Sequence, residues 1–81
     1  MTRMRVPKPL REATHHGATI RTYEREGKSA IAVDLGTADD VRVDVVDDTA
    51  IVVLDGRQFE FDVPAQARDV TVNNGVLTIT E

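Results

Sequence analysis

Few residues in this chain could do chemistry, and their spacing suits it poorly. His15-His16 is the first candidate, because imidazole is the commonest metal ligand in proteins. Adjacent residues of a strand face opposite ways, and no cysteine or third histidine completes a set of ligands. The pair reads as two histidines in a flexible arm. Asp39-Asp40 and Asp47-Asp48 could hold a cation or act as an acid/base pair. They lack the D-x-D-x-D-G order of a calcium loop and read as solvated turn carboxylates. Asp44 and Asp62 sit on the polar faces of alternating segments, where they solubilise. Ser29 is the only serine, and neither G-x-S-x-G nor a phosphate-cradling glycine loop occurs. The expectation is no catalytic residue, no metal and no cofactor, hence a protein that is not an enzyme. Surfaces are left to carry the function.

Composition bounds what those surfaces rest on. A chain of 81 residues makes one small domain. At this size about 60–65% of the unfolded surface is buried, so stability is marginal. Without cysteine no disulfide reinforces it, and nothing follows about redox compartment. Tyr23, Phe59 and Phe61 are the only aromatics, so the core must be aliphatic. No apolar run reaches the roughly 18 residues of a membrane span, and the basic start leads into no apolar signal region. A cytoplasmic location, without membrane association, is expected by default.

Charge is unevenly spread. Residues 1–28 carry seven basic against three acidic groups, whereas residues 29–81 carry three basic against eleven acidic ones. An acidic body repels phosphates and argues against nucleic acid as the main partner. Asp outnumbers Glu by nine to five and Arg outnumbers Lys by eight to two. A high-salt, halophile-like cytoplasm and a GC-rich coding bias both account for those preferences.

The elements that must position any surface read as an arm followed by strands. Residues 1–17 contain Pro7, Pro9 and Gly17 with little periodicity, which predicts a flexible basic N-terminal arm, mobile or loosely docked, and no convincing helix. From residue 18 the apolar pattern has period 2, giving one domain over 18–81. Strands are expected at 18–26, 29–35, 41–45, 50–54, 59–63, 70–72 and 76–80. The continuous apolar run 50–54 predicts a strand buried on both faces. Asp55-Gly56 and Asn74-Gly75 are hairpin signals, because both turn residues tolerate positive φ. Seven short strands, each with one apolar face, predict an all-β, antiparallel two-sheet sandwich.

Five segments in order give that sandwich a family likeness. They are Ile31-Ala32-Val33-Asp34-Leu35-Gly36, Asp39-Asp40-Val41-Arg42-Val43-Asp44-Val45, Thr49-Ala50-Ile51-Val52-Val53, Phe61-Asp62-Val63-Pro64 and Asn74-Gly75-Val76-Leu77. Over residues 20–81 the series resembles the α-crystallin domain of Hsp20-type small heat-shock proteins, an immunoglobulin-like sandwich. The resemblance implies a stress-response chaperone, an ATP-independent holdase that captures partly unfolded proteins. It also implies a client groove between residues 41–45 and 70–72, lined by Val41, Val43, Val45, Val70 and Val72. Read without the resemblance, each of these valines simply fills the core, and Phe59 and Phe61 do the same. The chain departs from the family pattern at several points. The proline of the first segment is missing, and Phe59 stands where an interface arginine is usual. Only residues 55–58 separate two strands that elsewhere flank a swapped loop, and no I-x-I tail follows. These departures point to a monomer or small oligomer without large assemblies, closer to a p23-like (CS-type) docking module.

Three functions therefore stand side by side. One is the holdase. Another is a p23-like or assembly-specific adaptor that binds one folded partner. The third is a nucleic-acid-associated regulator using Arg3, Arg5, Lys8 and Arg11, opposed by the acidic body and by the lack of aromatics in that arm.

Overall fold

Alternating apolar residues make the strands, and two-residue turns fold them into hairpins. The structure, a computed structural model, describes residues 4–36, 40–54 and 56–81. The strands are β1 (Thr19–Arg25), β2 (Lys28–Asp34), β3 (Val41–Val46), β4 (Thr49–Leu54), β5 (Arg57–Asp62), β6 (Asp69–Asn73) and β7 (Val76–Thr80). They form two antiparallel sheets, one ordered β1-β2-β7-β6 and the other β3-β4-β5. The protein is thus the all-β two-sheet sandwich that the periodicity predicts. Residues Arg3, Asp39 and Asp55, named above as candidates, lie outside the described residues.

Local chemistry accounts for the hairpins. Asn73 pairs with Val76 across Asn74-Gly75, whose φ values of 54° and 77° are those of the expected primed turn. Val46 pairs with Thr49 across Asp47-Asp48, and Leu54 pairs with Arg57, so both connections within the three-stranded sheet span two residues. Nothing between β4 and β5 is long enough to exchange with a partner.

Registers decide which side chains meet. Ile31, Val33, Leu77 and Ile79 project from the centre of the four-stranded sheet, and Ala50, Val52 and Phe61 meet them from the other. All seven are buried, and they form one core with Met4 and Leu10.

Two features depart from the sequence expectations. Residues 8–13 form a short helix, α1 (Lys8–Ala13), where no helix was expected. Pro7 and Pro9 fit there because the first turn of a helix has no partner for its N–H groups, so the missing donor is not felt. Leu10 on this helix is 0% exposed, and α1 packs against β5. Residues 4–17 are therefore docked against the sandwich, with Met4 also in the core. The second departure concerns β4. Ala50 and Val52 are buried, but Val53 is 38% exposed, so this strand is covered on one face only. An apolar outer face on a middle strand is not evidence of a second covering layer, since nothing docks there among the described residues.

Candidate functional site

β3 ends one sheet and β6 ends the other, and the two edge strands pack against each other along one side of the sandwich. The five valines predicted to line a groove lie on these two strands. Their environments differ. Val41, Val43, Val70 and Val72 are half-buried and packed against the core, whereas Val45 is 43% exposed. The geometry brings the five to one side of the molecule, and Val45 is the most exposed of them. The next residue, Val46, is 53% exposed on the opposite face of the strand.

The open end of this edge is a pocket of about 320 Å³. Val45, Val63, Pro64 and Val70 give it apolar walls. Its size lies at the low end of the range of about 300–1,000 Å³ for small-molecule sites, which suits one or two side chains.

Backbone hydrogen bonds hold the walls in place. The Val63 amide donates to the Asp48 carbonyl at 2.8 Å, tying the floor to the β3–β4 turn. The Arg68 amide donates to the Thr80 carbonyl at 2.7 Å, pinning the start of β6 to β7. Ala67 closes a turn onto the Pro64 carbonyl at 2.9 Å. A pocket held this way costs little ordering entropy when it is filled.

Charge surrounds the apolar walls. Asp47 and Asp48 stand on one side of the pocket, Arg68 and Asp69 on the other. None of the four pairs with another described residue; the ion pair found among the described residues joins Arg42 to exposed Asp40 at 3.6 Å. Sequence reasoning assigned Asp47-Asp48 to a solvated turn and gave Arg68 and Asp69 no role. The available signal was an acidic turn directly following Val45-Val46, an apolar pair at the end of an alternating strand.

Elsewhere, His15 and His16 occupy a 3-10 turn, both exposed, and no group of three metal-ligating side chains assembles among the described residues. No helix among the described residues is long and apolar enough to cross a membrane.

With the fold and this edge described, comparison with known proteins places the chain. The sequence profile of DUF7127, a family of unknown function, matches residues 4–81. The chain belongs to that family. No curated protein and no solved structure matches it. The match takes in both α1 and the whole sandwich of this DUF7127 chain, so the docked N-terminal segment falls within the family's extent.

Proposed function

We propose that this protein is a non-enzymatic binding module that captures extended apolar segments of partly unfolded proteins at the β3/β6 edge, as an ATP-independent holdase of the Hsp20-like kind. The observation that carries the reading is Val45, an exposed valine on an edge strand, beside a pocket whose far wall is Val70 of the opposing sheet. An edge strand offers unpaired backbone donors and acceptors, so an extended segment adds to it as a further strand while a side chain fills the pocket. The position of α1 supports this. It packs on β5, the opposite edge of the three-stranded sheet from β3. These are also the two strands to which the resemblance drawn from the five sequence segments assigns client capture. The cytoplasm is the corresponding location.

The adaptor reading is favoured by one specific observation. Val41, Val43, Val70 and Val72 are half-buried, so the freely available apolar surface is small and suits one matching segment. A monomer or small oligomer serves either reading.

Light scattering of heat-aggregating citrate synthase, with the protein at equimolar subunits, separates the two. Suppressed aggregation that is lost in Val45→Asp supports the holdase. Unchanged scattering with a folded protein removes it and leaves the adaptor.

A further inference from the structure

The β3/β6 pocket sets aliphatic side chains among an excess of carboxylates, and this combination restricts what it accepts. Val45, Val63 and Val70 offer an anchor site for an aliphatic side chain. Three carboxylates, Asp47, Asp48 and Asp69, stand around it against the single guanidinium of Arg68. Among the described residues none of these carboxylates has an ion-pair partner, and Arg68 is the cation that shares the lining with them. A strand added along β3 places successive side chains alternately toward and away from the pocket. Residues two positions from the anchor share its face and lie nearest the carboxylates.

We propose that the occupant is an extended segment of a partner protein in which Lys or Arg stands two positions from an aliphatic anchor, on the same face of the strand. This rests on the β3/β6 edge being the binding site and adds the partner's chemistry to it. Acidic segments of equal apolar content are disfavoured, because like charges at a rim repel and slow the encounter. The selectivity is therefore electrostatic and weakens as salt screens the exposed carboxylates. The body of the chain, with its excess of acidic groups, adds a general attraction for cations that the test must separate from the rim.

The test uses the full chain and two short fluorescein-labelled peptides, one repeating Val-Thr-Lys-Thr and the other Val-Thr-Glu-Thr so that Val and the charged residue share a face, read by anisotropy at low salt. Rim ion pairs each change affinity a few-fold, so the Val-Lys peptide is expected to bind roughly tenfold more tightly. In D47N/D48N/D69N this preference falls toward unity. In the control E12Q/E26Q/E60Q, which removes equal charge away from the pocket, it persists. Equal loss in both variants assigns the preference to net charge and overturns the proposal. Equal binding of the two peptides, abolished by V45D, also overturns it while leaving the edge as the binding site. Failure of both peptides to bind overturns the site and its selectivity together.

Discussion

Glu81 accepts a hydrogen bond from the backbone amide of Ser29 at 3.0 Å, joining two residues 52 positions apart in the chain. The Glu81 amide returns the contact, donating to the Ser29 carbonyl at 3.1 Å. The same carboxylate accepts from the Ser29 hydroxyl at 3.5 Å, and that hydroxyl in turn accepts from the Met4 amide at 3.5 Å. One buried serine thus ties the N-terminal segment, the start of β2 and the end of β7 together.

Removing that carboxylate leaves the Ser29 amide without its partner. Glu81→Ala is expected to cost on the order of 1–2 kcal/mol, because a hydrogen bond to a charged group is worth more than a neutral one. In a domain this small the loss lowers Tm by about 5–10 °C. Thermal melts followed by circular dichroism check it, and an unchanged Tm would assign Glu81 to the solvent.

Leu10 holds α1 on the sandwich, as its complete burial shows. Leu10→Ala is expected to destabilise the whole domain by about 2–5 kcal/mol, the range for truncating a buried leucine. Urea titration measures this directly. A change within about 0.5 kcal/mol, as for an ordinary surface position, would mean that the segment contributes nothing to the core.

Gly75 sits at φ 77° in the β6–β7 turn. Valine there combines a β-branched side chain with a left-handed backbone, a strain on the order of 1–3 kcal/mol or more. Gly75→Val is expected to unfold or severely weaken the protein, and Gly75→Asn, which tolerates this conformation, to lose much less. Amide dispersion in a proton–nitrogen correlation spectrum distinguishes them; equal stability of the two variants would contradict the turn.

Val52 and Val53 are neighbours with opposite fates. Val52→Ala empties a fully buried position and is expected to cost about 2 kcal/mol. Val53→Thr lies on the uncovered face and is expected to stay within about 0.5 kcal/mol of the parent. Denaturant midpoints of the pair decide it, and equal losses would require a layer covering β4.

That contrast shows where the sequence stops being legible. Strands and hairpins were readable because period-2 alternation and the turn dipeptide Asn74-Gly75 are local properties. Coverage of β4 was not, because the run 50–54 is apolar on both sides and only the tertiary arrangement decides which side is packed. α1 escaped for a different reason. Six residues with one apolar anchor, Leu10, show no helical periodicity, and two prolines read equally well as a loop. The valines of the edge were readable as a set, whereas the difference between Val45 and its half-buried companions depends on where β6 lies. Arg68 and Asp69 join Asp47 and Asp48 only because β6 packs against β3, which no local pattern records.

The central claim is that β3 and β6 together receive an extended segment, and amide shift mapping tests it most directly. A short Val-Thr-Lys-Thr repeat peptide is titrated into the isotope-labelled protein at low salt, and the perturbed amides are assigned. The account predicts shifts concentrated in Val41–Val46 and Asp69–Asn73, with α1 and the hairpin tip at Glu26-Gly27 unaffected. Shifts confined to the outer face of β4 and β5, or to α1, would contradict it.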